Sequence, residues 1–333
     1  MNRLKGTPFV RRKAALKLGL CAVFFTLGLS QAVAFGVEAG NPSFTAEYAA
    51  AFRAIAALDP DEKIRNPDYL AEKFVSPEFW DETGFRLDFE YTKILIHMMQ
   101  LGAYYWVNAR TKHIDATLKR EAVNGIKQVV ILGAGYDSRA YRCRDILSGV
   151  KFFEVDLPET QAKKRKLIED IIGIEGSLPD FVVYVPIDFN TQSLESVLRE
   201  AGYEMNQKTF FIWEGVTMFL TEEGVNNTLN FIAHHSALGS SVIFDYILKP
   251  VIEGTSGYYN CRQIAAYLAG KEEPWVFGIR EGKAENLVIQ RGFVVLSHLG
   301  PEELTQQYLI RSDGSTDGSM LECIRILHAL VSR

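Results

Sequence analysis

The sequence predicts a doubly wound α/β protein: a mostly parallel seven-stranded sheet, with an N-terminal helical region before it and a helical insertion after its fifth strand. Three observations carry this. From Lys127 onward, runs of apolar, β-branched and aromatic residues recur about every 25–30 residues; helix-forming stretches fill the intervals; and several runs end in glycine or acid. Near-continuous apolar strands alternating with helices mark a parallel sheet covered on both faces.

From the N-terminus, residues 1–37 stand apart. They hold six basic residues (Arg3, Lys5, Arg11, Arg12, Lys13, Lys17) and no acid, and Leu18 to Val37 is apolar except for Thr26, Ser30 and Gln31. A basic stretch, an apolar run and the small residues Ala32-Val33-Ala34 have the layout of a secretory signal peptide. The run is also nearly long enough to stay as a single membrane anchor, so association with a membrane through this segment is left open. A start at Val37 is the third reading. The rest of the chain sets thirty basic against forty-one acidic residues. A body this acidic is not expected to bind nucleic acid, whose phosphates require clustered Lys and Arg. Cys21, Cys143, Cys261 and Cys323 lie far apart, with no CxxC and no Cys/His cluster. Neither a zinc site nor a disulfide framework is expected; the four read as buried small hydrophobes.

Residues 38–120 read as the helical region. Phe44–Leu58 is Ala-rich and stopped by Asp59-Pro60, Asn66-Pro67 opens a short helix, and Phe89–Leu118 supplies one or two longer ones. The sheet domain follows over 121–333. Its strands are Gln128–Leu132, Phe152–Val155, Phe181–Val185, Thr209–Trp213 and Ser241–Tyr246, with helices over Leu157–Ile172, Gln192–Ala201 and Glu222–Ser236 between them. Phe293–Ser297 and Glu322–Leu330 close the sheet, and 247–285 is the insertion. There Tyr258, Tyr259 and Trp275, with Tyr246 just before it, are candidates for lining an apolar pocket.

The first strand ends in Gly133-Ala134-Gly135-Tyr136-Asp137-Ser138-Arg139. Small residues at a strand-to-helix turn let backbone approach a ligand closely. The second strand puts Glu154 and Asp156 on one side, and an acid there is placed to accept from ribose hydroxyls. The third ends in Asp188-Phe189, suited to an adenine amino group and ring, and the fourth in Trp213-Glu214-Gly215. Thr221 then reads as a helix N-cap. Polar residues thus gather at the carboxyl edge of a Rossmann-like sheet, where such sheets bind ligands.

These stretches together resemble class I S-adenosylmethionine-dependent methyltransferases, and within them the leucine carboxyl methyltransferase family, in its bacterial polyketide-type O-methyltransferase branch. The resemblance covers roughly residues 44–330 and rests on LGAGYDSRAYR (Leu132–Arg142), FFEVDLPETQAKKR (Phe152–Arg165) and EGVTMFL (Glu214–Leu220). Thr45-Ala46 with Arg53-Ala54, and Asn108-Ala109-Arg110-Thr111, are similar to the family's N-terminal signature. It implies an S-adenosyl-L-methionine cofactor, with 121–333 as its binding domain. Arg110, and Arg53 beside it, would hold the methionine carboxylate. The Gly133-Ala134-Gly135 turn would lie against the methionyl part, Glu214 near its amine, Asp156 on ribose, and Asp188 with Phe189 on adenine. Phe219 departs from the pattern, since the family often has Tyr there.

The resemblance implies O-methylation of a carboxylate or hydroxyl on a small-molecule substrate. No catalytic residue and no metal ligand is singled out; none of His97, His113, His234, His235, His298 and His328 sits in a motif that marks a base. Catalysis is expected in the cytoplasm, where the cofactor is made, whereas the basic leader would place the body outside. Two alternatives remain. One is a nicotinamide-dependent oxidoreductase, weakened by Ser138 standing where a dinucleotide fingerprint has its third glycine. The other is a non-catalytic exported nucleoside-binding module, supported by the leader alone. Oligomeric state is not legible.

Overall fold

The computed structural model describes residues 43–99, 101–172, 178–188, 192–271 and 273–332. The leader over 1–37, Cys21, Phe189 and the side chain of Tyr259 lie outside the described residues. No helix among those described is long and apolar enough to cross a membrane.

The chain enters through helix α1 (Phe44–Ala56), whose first turn is capped by Ser43: its hydroxyl accepts from the Ala46 N–H. Ala50, Ala51, Phe52 and Ile55 bury its inner face. Helix α2 (Pro77–Thr83) starts on a Ser76 cap with proline at its first position and stops at Gly84. Helix α3 (Phe89–Met98) is capped by Asp88. Helix α4 (Gly102–Val123) buries the polar residues Asn108, Arg110, Thr111 and Asp115.

Strand β1 (Gln128–Leu132), a short helix α5 (Arg139–Arg142), β2 (Lys151–Asp156) and helix α6 (Pro158–Ile172) follow. Then come β3 (Val182–Pro186), α7 (Leu194–Glu200), β4 (Thr209–Trp213), α8 (Glu222–His234) and β5 (Ser241–Ile247). The sheet order is β3-β2-β1-β4-β5-β7-β6, with β6 (Phe293–Leu299) and β7 (Ile324–Val331) closing it and β7 antiparallel to both neighbours. Every residue of β1, β4 and β5 is buried, as expected of strands covered on both faces. The order reverses between β1 and β4, which opens a crevice at their carboxyl ends. Thr221 caps α8 as expected, accepting from the Gly224 N–H at 3.1 Å.

The stretch after β5 contributes helices α9 (Lys249–Ile252) and α10 (Tyr259–Ala269), then returns to the sheet where Ile279 bridges Leu248. Helices α11 (Ala284–Ile289) and α12 (Pro301–Tyr308) flank β6.

One expectation fails here. Cys261 of α10 and Cys323, just before β7, form a disulfide, with Cα atoms 6.4 Å apart. Their separation of 62 residues matches no spacing motif; only the fold brings them together. Cys143 is free and buried, as expected.

Glu154 and Asp156 also part company. Glu154 is buried against Lys164 of α6, an ion pair 2.7 Å apart that is close but not aligned as a hydrogen bond. Burial raises its carboxyl to about 7, against the opposing pull of Lys164. Because the folded value lies above the unfolded one, the associated stability is full below about 4.5 and is lost as pH rises through about 7. At about 1.4 kcal/mol per unit, roughly 3 kcal/mol is involved. Urea unfolding should show the protein less stable at pH 8 than at pH 5, and the double variant Glu154→Gln, Lys164→Met should flatten that difference. An unchanged difference in the double variant would show that other groups set it.

Candidate active site

A cavity of about 1100 Å³ opens at the carboxyl ends of β1, β2 and β4. One wall is the sheet edge, with Gly133, Gly135, Asp156, Asp188 and Glu214; the other is built from α1, Trp106 of α4, α10 and Trp275.

The turn after β1 is made by glycine chemistry. The N–H groups of Gly133 and Ala134 both donate to the Val155 carbonyl, at 2.8 and 3.0 Å. Gly133 has φ +67°, and a Cβ there would sit 2.3 Å from Cγ2 of Val216. Only glycine satisfies both conditions. Gly135 then donates its N–H to the Asp156 carboxylate, which also accepts from the Leu157 N–H at 2.6 Å. Burial nevertheless raises the Asp156 carboxyl above its ordinary value. Asp156 therefore stands at the cavity as an acceptor held by two backbone donors. Asp188 reaches the same cavity further along the edge, half-buried.

Behind this edge lies a buried ionic lattice. Arg110 donates from Nε to Glu214 at 2.9 Å and from Nη1 to Asp245 at 2.6 Å. Arg139 bonds Asp115 at 2.7 Å, Glu214 at 2.6 Å, and Asp137. Arg142 donates to both oxygens of Asp115, at 2.5 and 2.8 Å. Arg53 bonds Asp68 at 2.8 Å and the Tyr136 carbonyl at 2.7 Å, which ties α1 to the turn. Ser138, whose hydroxyl donates to Asp68 at 2.6 Å, belongs to the same lattice. With every group ionised, these four guanidiniums face five carboxylates, a surplus of one negative charge. Burial alone would raise Glu214, but Arg139 and Arg110 outweigh it and hold the carboxyl down to about 2. Glu214 therefore presents a fixed negative charge to the cavity at any ordinary pH, suited to a cationic group.

The structure brings Arg53, Arg110, Gly133, Ala134, Gly135, Asp156, Asp188 and Glu214 to one cavity. Arg139, Asp137, Asp115 and Asp245 were missed. The first two stand in the glycine turn's own sequence, where a charged pair two residues apart was the available signal. Asp245 sits inside an apolar strand with no neighbouring motif. Of the aromatic candidates, Trp275 lines the cavity. Tyr246 does not: it is fully buried with its hydroxyl on His298 at 2.9 Å. Tyr258 borders a separate cleft beside Glu281 and His298. Among the described residues no histidine lines the cavity. Burial pushes His113 down to about 4 and His328 down to about 3, so both are neutral near pH 7.

The far half of the cavity is apolar. Phe52, Trp106, Met218, Ile264 and Leu268 line it. Beside it, Glu273 accepts from the N–H groups of Phe44 and Thr45, at 2.9 and 3.2 Å, at the start of α1.

The leucine carboxyl methyltransferase family model matches residues 46–233. A Bacillus subtilis protein named "Putative S-adenosyl-L-methionine-dependent methyltransferase YktD" is 28% identical over 252 residues, 76% of this chain and 81% of that protein. A Streptomyces coelicolor protein with the same description, SCO7813, is 30% identical over 210 residues, 63% of this chain and 70% of its own length. Among solved structures, a DUF574 family protein from Streptomyces avermitilis superposes with TM-score 0.55 at 12% identity, covering 85% of this chain and 96% of its own. A protein from Thermobifida fusca titled as a putative methyltransferase gives 0.54 at 12% identity, covering 90% and 98%. At that identity the two structures speak to the fold alone.

Proposed function

The chain belongs to the leucine carboxyl methyltransferase family, and from that premise we propose that it transfers the methyl group of S-adenosyl-L-methionine to a carboxylate or hydroxyl oxygen of a small apolar metabolite. The observation that carries this is the cavity's two halves: a polar sheet edge with a fixed anion, continuous with an apolar chamber.

The residues fit the cofactor by chemistry. Asp156 would accept from ribose hydroxyls, Asp188 from the adenine amino group, and the Gly133–Gly135 turn would admit the methionyl chain. Glu214 would face its ammonium and Arg110 its carboxylate. Arg53 acts one step back, through the turn it pins. The sulfonium, when bound, supplies both the methyl group and the leaving group for an in-line displacement. What the chain must add is alignment of the acceptor oxygen and exclusion of water, and the apolar chamber serves both. A carboxylate, with reference pKa about 4, arrives ionised at pH 7, whereas a phenol near 10 needs a base.

Calorimetric titration with S-adenosylhomocysteine tests the cofactor site. Micromolar affinity is expected, with Asp156→Asn losing roughly ten- to hundredfold, the worth of about 1.5–3 kcal/mol for a hydrogen bond to a charged group. A folded protein that binds none would remove the methyltransferase reading.

A further inference from the structure

We propose that the mouth of this cavity faces a lipid bilayer and that the acceptor enters from it; the second half of the statement rests on the methyltransferase reading above. Three observations converge. First, the chain enters the fold at the mouth. Ser43 and Phe44 line the cavity, and the entry point is pinned there: the Ser43 N–H donates to Thr160 Oγ1 at 3.4 Å, and the next two N–H groups bond Glu273.

Second, the apolar run Leu18–Val37, free of charged residues, ends six residues before Ser43. Six Cα-to-Cα steps at full extension reach about 20 Å. Whatever surface takes up that run therefore lies within about 20 Å of the cavity mouth. The run approaches the length of one bilayer crossing and is preceded by six basic residues and no acid, which suits anionic headgroups.

Third, the rim has the composition of an interface. Leu157, Tyr267 and Val276 line the cavity yet are 45%, 42% and 50% exposed. Trp275 is half-buried among them. Arg262 is an exposed lining residue, and the Lys271 ammonium lies 5.0 Å from the Phe44 ring. Exposed aliphatic side chains interleaved with Trp, Tyr, Lys and Arg are what a headgroup boundary accommodates. An acceptor seated in the apolar chamber would then be an amphiphile: an apolar body that partitions into the bilayer, and an oxygen-bearing head that reaches the sheet edge.

The full-length chain reconstituted into vesicles of phosphatidylcholine with anionic phosphatidylglycerol tests this, with brominated acyl chains as quenchers of tryptophan emission. Brominated vesicles should quench the wild type more than Trp275→Phe, and Val276→Asp, which puts a carboxylate on the rim, should reduce the quenching. Equal quenching in the wild type and Trp275→Phe, or none in either, overturns the proposal. S-adenosylhomocysteine titrated into the same vesicles separates the two readings. Binding without Trp275 quenching leaves the methyltransferase standing and removes the bilayer. Quenching without binding does the reverse for the enzyme while keeping the orientation.

Discussion

Arg110→Gln should lower the free energy of unfolding by about 3–5 kcal/mol, the cost of removing one partner from a buried ion pair. Asp245 has no solvent exposure and faces a single cation among the described residues. Without Arg110 it keeps only the Gly215 N–H, at 2.6 Å. Glu214 retains Arg139, so the damage centres on Asp245. Against a total stability of ordinarily 5–15 kcal/mol this is a large fraction, visible as a shifted urea midpoint. Arg110→Lys separates charge from geometry. A lysine keeps the charge but cannot reach Glu214 and Asp245 as the guanidinium fork does, so it should unfold later than Arg110→Gln yet bind S-adenosylhomocysteine more weakly than the wild type. If the loss comes from an uncompensated carboxylate, Arg110→Gln with Asp245→Asn should be more stable than Arg110→Gln alone. An unchanged midpoint in Arg110→Gln would mean that the Arg110 pairs contribute nothing to stability.

That lattice also shows where reading the chain stops. The sheet was legible because its signals are local. Gln128–Leu132 and Thr209–Trp213 are continuous apolar runs buried on both faces, and they appear with the expected bounds. Asp156 and Glu214 were legible because strand ends fall at the carboxyl edge by topology alone. β2 starts one residue earlier than its apolar run, at Lys151, because backbone pairing with Gln128 needs no apolar side chain. β7 starts two residues later than expected, since Glu322 is exposed and the Cys323 carbonyl is taken by the Leu248 N–H. The lattice links residues 53, 68, 110, 115, 137, 139, 142, 214 and 245, and charge partners so far apart leave no periodic trace. Glu154 illustrates the same limit. Alternation placed it beside Asp156, but only Lys164 one helix away decides that it is a buried structural pair and not a ligand.

The disulfide lies at the same limit and sets the second large effect. Replacing both Cys261 and Cys323 by alanine should cost about 2–4 kcal/mol of unfolding free energy, since the bridge closes a loop of 62 residues. The chain-entropy account of such a loop gives about 4 kcal/mol as its upper figure. The loss should not be spread evenly. The bridge holds α10, which lines the apolar half of the cavity through Ile264, Tyr267 and Leu268, to the root of β7. Asp156, Glu214 and the glycine turn are held by β1, β2 and β4 and by the arginine lattice, none of which the bridge touches. Hydrogen exchange should therefore quicken over 259–269 in the double variant while β1 and β2 keep their protection, and S-adenosylhomocysteine affinity should stay within a factor of about two, below the roughly 0.5 kcal/mol coupling of independent sites. Equal acceleration in α10 and in β1 would instead make the bridge a staple of the whole fold. Faster exchange confined to α10 would make the two halves of the cavity separable, the cofactor half fixed by charge and sheet and the acceptor half by one covalent tie.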